Sequence, residues 1–158
     1  MAQHTLSVLV ENSPGVLARV ASLFSRRGYN IDSLAVGPTE NSAVSRMTIV
    51  LNLEGHALDQ VSAQLFKLVN VIGIQEMTAD QSLQRELLMV KVKNSSDSRS
   101  AIEAIVSRFK GEIVDETKTS LTIEAIGTSK DIAALVAELH KFGVKELVQS
   151  GLIALEKG

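Results

Sequence analysis

Four small or flexible residues, Asn12-Ser13-Pro14-Gly15, stand where an apolar segment ends and a helical pattern begins. The first N–H groups of a helix have no partner inside the helix, and with the helix dipole they bind small anions. The missing side chain of Gly15 leaves this end open, and the Asn12 amide can both donate and accept hydrogen bonds. This spacing indicates a site for the carboxylate of a small molecule such as an amino acid. A plain turn with a helix cap uses the same residue types, so the loop alone leaves both interpretations open.

A second polar group, Asn30, follows Gly28 and Tyr29 and opens an apolar strand that begins with Ile31. In a βαββαβ sheet this second strand lies at an edge, where its unpaired backbone can pair with another copy of the chain. Symmetric pairing would bring Asn30 of one chain toward Asn12 of its neighbour. We therefore predict a homodimer that shares the site, although Gly28-Tyr29-Asn30 also suits a simple helix stop.

No catalytic set accompanies these residues. The three histidines, His4, His56 and His140, are scattered without metal-ligand spacing, and Arg26-Arg27 reads as a solvated helix end. The sequence has no P-loop, GxGxxG or HExxH motif. We predict a chain that binds a metabolite without transforming it, with no catalytic residues, no metal and no cofactor of its own.

The composition excludes several classes of protein. The chain has 158 residues, 45% of them hydrophobic, with 16 basic and 18 acidic side chains and a net charge of −2. That balance argues against nucleic-acid binding, which needs a basic footprint. There is no cysteine, so disulfides and thiolate metal sites are excluded. The sequence shows neither a signal peptide nor an apolar run of about 20 residues, and we expect a cytoplasmic protein with no membrane contact.

The elements that position the loop follow from hydrophobic periodicity. In the first half, Ser13 is predicted as the N-cap and Pro14 as the first helical residue, with Gly28 ending the helix. The apolar face of this helix is predicted at Leu17, Val20, Ala21 and Phe24. A second helical stripe comprises Leu58, Val61, Leu65 and Leu68, and strands are predicted at residues 5–10, 31–36, 44–53 and 71–77.

The pattern repeats after a polar linker at residues 78–86. Strands are predicted at residues 87–92, 112–115, 121–126 and 144–155, the last broken near Gly151, with helical faces at Ile102, Ile105, Val106, Phe109 and at Ile132, Leu135, Val136, Leu139. The predicted fold is α+β, with two tandem βαββαβ ferredoxin-like sandwiches of strand order 4-1-3-2. The predicted domains are residues 1–78 and 79–158. The second half has Asn94-Ser95-Ser96-Asp97-Ser98 at the loop position, without glycine or proline, so close approach of a ligand to the backbone is expected only in the first half.

Several segments resemble one family. The stretch ENSPGVLARVASLFSRRGYNIDSL, together with SRMTIV, QLFKLVNV, RELLMVKV and SGLIALEKG, is similar to the small, regulatory subunits of acetohydroxyacid synthase (acetolactate synthase). The resemblance covers both halves. It implies an N-terminal ACT domain, a C-terminal ferredoxin-like domain and a dimeric regulator that binds and activates the large catalytic subunit. It also implies feedback inhibition by branched-chain amino acids, mainly valine, with thiamine diphosphate, magnesium and FAD held by the large subunit.

The resemblance also places an effector site. Carried over by motif, the effector-binding residues of one chain are Asn12, Ser13, Gly15, Val16 and Leu17, and those of the facing subunit are Asn30 and Ile31. N–H groups would hold the carboxylate, amide oxygens the ammonium group, and Leu17 or Ile31 the aliphatic tail. Pro14 lacks an N–H and is given no hydrogen bond. The effector could be valine, leucine or isoleucine, because one methylene in an apolar pocket changes affinity by only about 1–3 kcal/mol.

Two other functions share this fold. An RNA-recognition module has the same βαββαβ order but stacks bases on aromatic residues of its central strands. Here the third strand, Ser45–Val50, has no aromatic residue, and aromatics make up 3% of the chain. An ACT-domain sensor serving a different biosynthetic enzyme remains the main alternative, and purification partners together with an amino-acid thermal-shift screen would distinguish it.

Overall fold

A computed structural model describes residues 2–158 of the chain. The chain divides into two compact units. The first comprises the residues up to 83 together with residues 152–158, and the second comprises residues 84–151.

The first unit contains a four-stranded antiparallel sheet and two helices. Its elements are β1 (Ala2–Glu11), α1 (Val16–Arg27), β2 (Ile31–Pro38), β3 (Val44–Leu53), α2 (Ala57–Phe66) and β4 (Val71–Glu76). The strand order is β2-β3-β1-β4, which confirms the predicted order and places β2 at an edge. The register sets Leu6 of β1 opposite Ile49 of β3, and both side chains are fully buried.

The core of this unit lies between the two helices and one face of the sheet. The buried side chains of α1 are Val16, Val20, Leu23 and Phe24, and those of α2 are Val61 and Leu65. The predicted face of α1 was therefore partly wrong, since Leu17 and Ala21 are exposed while Val16 and Leu23 are buried. Each apolar side chain buried in this core contributes about 1.5–3 kcal/mol.

The start of α1 also differs from the prediction. Gly15, not Ser13, is the N-cap, and it adopts a left-handed conformation with φ of 84°. Pro14 consequently lies before the helix and Gly15 lies outside its first turn. The prediction for the other end is confirmed, because Gly28 ends the helix with φ of 71° and donates its N–H to the Ser25 carbonyl at 3.2 Å.

The second unit repeats the arrangement. It is built from β5 (Ser82–Lys93), α3 (Arg99–Arg108), β6 (Glu112–Glu116), β7 (Ser120–Gly127), α4 (Ser129–Leu139), a 3-10 turn (His140–Phe142) and β8 (Val144–Gln149). The strands run in the order β6-β7-β5-β8. Residues 82–86 of the predicted polar linker lie in β5. The first two residues of that strand belong to the first unit. The structure thus has the predicted fold class, two successive βαββαβ arrangements.

The end of the chain returns to the first unit. A last strand, β9 (Ile153–Glu156), follows the predicted break and pairs with β5. The Lys157 N–H donates to the Gln81 carbonyl, and the Leu152 N–H donates to Oγ of Ser33 on β2, both at 2.9 Å. Leu152 and Ala154 are buried, which explains why a segment predicted in the second domain packs with the first.

Candidate functional site

The N-terminus of α1 presents free backbone donors. Within residues 2–158, no acceptor is bonded to the N–H groups of Gly15, Val16, Leu17 and Ala18. The first hydrogen bond of the helix is donated by the Arg19 N–H to the Gly15 carbonyl at 3.1 Å. No side chain caps the helix, and its first turn carries no acidic residue. Unoccupied donors at the positive end of a helix dipole can bind a carboxylate.

Gly15 keeps this end of the helix open. A Cβ placed on Gly15 would meet no heavy atom within 4 Å, so the space beside it is empty. Its φ of 84° lies in the left-handed region, where side chains other than glycine are strained. The glycine is therefore required by the backbone conformation, and the absence of a side chain leaves room for a ligand.

Asn12 fixes the loop that precedes the helix. Its N–H donates to the Ala43 carbonyl at 2.8 Å, and its Nδ2 donates to the Ser42 carbonyl at 3.1 Å. The Ser13 N–H is also used, by the Glu11 carbonyl at 3.0 Å. Among the described residues, nothing donates to Oδ1 of Asn12, which leaves an amide oxygen available to accept from an ammonium group.

Asn70, a residue that sequence reasoning missed, braces this loop. Asn70 accepts from Nη1 of Arg19 through Oδ1 at 2.5 Å and donates from Nδ2 to Oε2 of Glu11 at 2.9 Å. The Asn70 carbonyl also accepts from the Glu11 N–H at 2.9 Å. The end of β1, the first turn of α1 and the residue before β4 are thereby joined. An isolated asparagine before a predicted strand was the available signal in the sequence.

The two apolar residues predicted at this end of the helix differ in exposure. The Val16 side chain belongs to the core, so Val16 can offer a ligand its N–H group and little else. Leu17 is 45% exposed and can contact an aliphatic group. The loop and Leu17 together offer donors, one amide acceptor and an apolar surface.

Asn30 and Ile31 lie at the opposite end of α1. The helix between them and Gly15 has 12 residues, so one chain separates the two groups by about 18 Å. Asn30 is exposed and donates from Nδ2 to Oδ1 of Asp32 at 3.1 Å, and Oδ2 of Asp32 accepts from Asn52 on β3. Ile31 is partly buried against the core. A single chain therefore does not bring the predicted site residues together, and Asp32 is a further polar neighbour that the sequence analysis did not name.

The comparisons with known proteins agree over both units. Residues 6–73 match the family model described as the AHAS small subunit-like ACT domain, and residues 85–158 match the model of the small subunit of acetolactate synthase. The acetolactate synthase small subunit of Mycobacterium leprae is 54% identical over 155 residues, covering 98% of this chain and 92% of that protein. This chain belongs to the family of acetolactate synthase small subunits.

Further similarities support the family assignment. The small subunit of Mycolicibacterium smegmatis is 51% identical over 155 residues, covering 98% of this chain and 91% of that protein. The crystal structure of the acetolactate synthase small subunit from Thermotoga maritima matches with a TM-score of 0.92 and 31% identity, covering 100% of this chain and 99% of that chain. The resemblance read from the sequence is confirmed, as is the ACT-type fold of the first unit.

Within residues 2–158, no group of three His, Asp or Glu side chains is placed to hold a metal ion. The helices of that same range are all too short or too polar to cross a bilayer.

An ion pair lies in the second unit, where Arg99 Nη1 and Glu116 Oε1 are 2.6 Å apart. The hydrogen bond from Arg99 lowers the pKa of Glu116.

Proposed function

We propose that this chain is the non-catalytic regulatory subunit of acetolactate synthase. It binds the large catalytic subunit, raises its activity and makes it sensitive to feedback inhibition by valine, an end product of branched-chain amino-acid biosynthesis. The observation that carries the effector role is the uncapped N-terminus of α1, with free N–H groups beside the open position of Gly15.

The effector is recognised at three points. The N–H groups of Gly15, Val16 and Leu17 receive its carboxylate, because a helix N-terminus favours negative charge. Oδ1 of Asn12 and the neighbouring Ser13 lie at the polar side of the site, toward the ammonium group. The exposed Leu17 side chain contacts the branched aliphatic chain.

A second copy of the chain completes the site. β2 is an edge strand, and its pairing with β2 of another subunit would form a homodimer. Asn30 and Ile31 of the partner then face the α1 N-terminus. Within one chain these two residues lie too far from that end of the helix to contribute. Effector binding is consequently coupled to the arrangement of the dimer, as allosteric control requires two states that the ligand distinguishes.

Catalysis belongs to the large subunit. We expect thiamine diphosphate, magnesium and FAD to bind there, and the pair to work in the cytoplasm. This chain would alter the activity of that subunit through contact alone.

Reconstitution with the cognate large subunit tests the proposal. Acetolactate formation is measured for the large subunit alone, for this chain alone and for the mixture, each titrated with valine, leucine and isoleucine. We expect no turnover by this chain, stimulation in the mixture, and inhibition that appears only in the mixture. Turnover by the purified chain, or an unchanged rate on mixing, would refute the regulatory role. Stimulation without inhibition by any of the three amino acids would refute the effector site alone.

A further inference from the structure

The second unit contains a cleft that the effector site does not use. The cleft has a volume of about 360 Å³ and lies where β7 ends, between the C-terminus of α3 and the N-terminus of α4. The polar and aromatic residues lining it are Arg85, Arg108, Phe109, Lys110, Thr128 and Asp131. This volume is within the range of small-molecule sites.

Positive charge dominates the cleft. Three cations line it, Arg85 from β5 and Arg108 and Lys110 from the C-terminal end of α3, against the single carboxylate of Asp131. Arg108 is paired with Glu138. Arg85 and Lys110 have no ion-pair partner within residues 2–158, and Arg85 donates from Nη1 only to the Gln84 carbonyl. Two cations are thus available to a ligand.

Lys110 is held in an unusual backbone conformation. Its φ is 58°, and among residues 2–158 it is the one non-glycine residue with positive φ. Its N–H donates to the Ser107 carbonyl at 3.0 Å, and the Gly111 N–H donates to the Val106 carbonyl at 2.8 Å. This hydrogen-bonding pattern is the Schellman motif, which normally has glycine in the left-handed position.

The first unit shows what this motif looks like without the lysine. At the end of α1, Gly28 donates to Ser25 and Tyr29 donates to Phe24, which is the same pattern with glycine in the left-handed position. In the first unit, glycine is therefore sufficient to satisfy the backbone geometry of this motif. In the other unit a lysine occupies the strained position and lines a cleft, and strain of this kind gathers at functional positions.

The backbone beneath the cleft is uncovered. Pairing of β6 with β7 extends only as far as Glu112 opposite Glu124. The remaining residues of β7, 125–127, pair with β5 and have no strand on their other side among the described residues. A Cβ on Gly111 would lie 2.9 Å from the Glu124 carbonyl oxygen, so this glycine lets the Lys110 turn lie close against the strand end.

We propose that this cleft binds a small phosphorylated anion through Arg85 and Lys110, with Arg108 adding to the positive field. The guanidinium fork of arginine suits the oxygens of a phosphate, and lysine supplies a compact positive charge. A dianionic phosphate matches two unpaired cations better than a zwitterionic amino acid, whose ammonium group would face the same cations. The cleft is a site separate from the valine site and does not depend on it.

Calorimetric titration of the full chain at fixed ionic strength tests the proposal. Inorganic pyrophosphate is the first probe, and inorganic phosphate and AMP are compared with it. We expect one site per chain. Arg85→Ala and Lys110→Gly should each weaken binding about tenfold or more, as expected for loss of a hydrogen bond to a charged group. Asp131→Asn, which removes the opposing carboxylate, should tighten binding.

Lys110→Gly also separates binding from folding. Glycine relieves the positive-φ strain, so this variant should unfold at the same or a higher temperature while it loses the anion. Lys141→Ala serves as the matched control, because Lys141 is an exposed lysine of the same unit outside the cleft. AMP binding tighter than phosphate supports a nucleotide ligand, and equal binding supports recognition of the phosphate alone.

Three results would overturn the proposal. The first is no saturable binding at millimolar pyrophosphate, and the second is binding by Arg85→Ala and Lys110→Gly as tight as that of the original chain. The third is a loss of affinity in Lys141→Ala as large as in those two variants. Because the titration needs neither the large subunit nor valine, its failure leaves the regulatory proposal standing. Failure of the reconstitution experiment would in turn leave the anion site standing.

Discussion

Arg19 donates from Nη1 to Oδ1 of Asn70 at 2.5 Å, and so joins the first turn of α1 to the residue that precedes β4. The same asparagine binds Glu11 at the end of β1 through both its backbone carbonyl and its side-chain Nδ2. The loop that carries Asn12 and Gly15 runs between these tied elements. Its position is thus set by contacts far apart in the sequence.

Asn70→Ala should weaken the response to valine. The change removes two side-chain hydrogen bonds while keeping the backbone bond, and we expect a stability loss of about 1 kcal/mol and a several-fold rise in the valine concentration for half inhibition. Asn94→Ala is the control, since Nδ2 of Asn94 makes a similar 2.8 Å bond to the Thr117 carbonyl in the second unit. Equal shifts in valine response for both variants, measured with the reconstituted enzyme, would contradict a local role for Asn70.

Gly15→Asp should abolish valine inhibition and retain stimulation. The new carboxylate repels that of the effector and competes for the same N–H groups. Because φ at Gly15 is 84°, the substitution also strains the backbone by about 1–2 kcal/mol. An alanine at position 15 would be strained for the same reason.

Gly55→Asp is the control that separates backbone strain from loss of effector binding. Gly55 precedes α2 with φ of 58° and also has open space around its Cβ position, so it should suffer similar strain. Circular dichroism melts should then show comparable losses for the two variants, with valine inhibition lost only for Gly15→Asp. Retained inhibition in the Gly15 variant would remove this residue from the site.

Asn30→Ala should weaken inhibition less than Gly15→Asp. It removes one polar side chain and leaves the backbone donors of α1 untouched. Asn52→Ala is a suitable comparison, because Asn52 binds the same Asp32 carboxylate from β3. An unchanged valine titration for Asn30→Ala, with normal dimerisation, would argue against a contribution from the facing subunit.

The chain should be a homodimer joined through its first unit. The unpaired edge of β2 is the physical reason, since exposed strand edges pair readily. Light scattering at micromolar concentration should give twice the mass of 17.0 kDa, with and without valine. A monomeric mass in the presence of valine would be incompatible with a shared site.

Glu116→Gln should reduce stability at neutral pH and have less effect in acid. The hydrogen bond from Arg99 lowers the pKa of Glu116 below its ordinary value of 4.5 in the folded state. A carboxyl group with a lowered folded pKa contributes stability above its unfolded pKa and loses it as the pH falls through the folded pKa. The difference in melting temperature between the variant and the original chain should therefore shrink below pH 4.5.

Glu112→Gln is the control for this measurement. Glu112 lies on the same strand, and within residues 2–158 it forms no ion pair. Its melting temperature should follow that of the original chain at every pH. Because Glu116 is exposed, its effect should also fall with added salt, as expected for a screened pair. A pH-independent difference for Glu116→Gln would indicate a packing effect instead.

The periodic parts of the fold were predictable because their signals are local. Alternating apolar residues located the strands, and Gly28 located the end of α1, where the chain needs positive φ. The start of α1 was mispredicted because Ser13 and Pro14 fit a helix start on local grounds. In the structure the Asn12 N–H is bonded to the Ala43 carbonyl, a tertiary contact that no local pattern reveals.

The backbone geometry at the candidate site was predictable to a similar extent, while the site itself stays a prediction. The types and spacing of Asn12, Gly15 and Leu17 indicated a carboxylate site at a helix N-terminus, and the structure places free N–H groups there. The brace formed by Asn70 could not be predicted, because it depends on how β4 lies beside β1. Val16 points inward because it shares one helical face with Val20, Leu23 and Phe24, the residues of α1 that pack on the core.

The return of residues 152–158 to the first unit affects the order in which the protein can be made. Residues 84–151 must leave the ribosome before Leu152 can bond to Ser33 on β2. At about 5–20 residues per second, the nascent first unit waits several seconds for its final strand. During that interval β2 lacks the contact to Leu152 that it has in the finished chain. A nascent-chain arrest series that probes this strand would report when the unit closes.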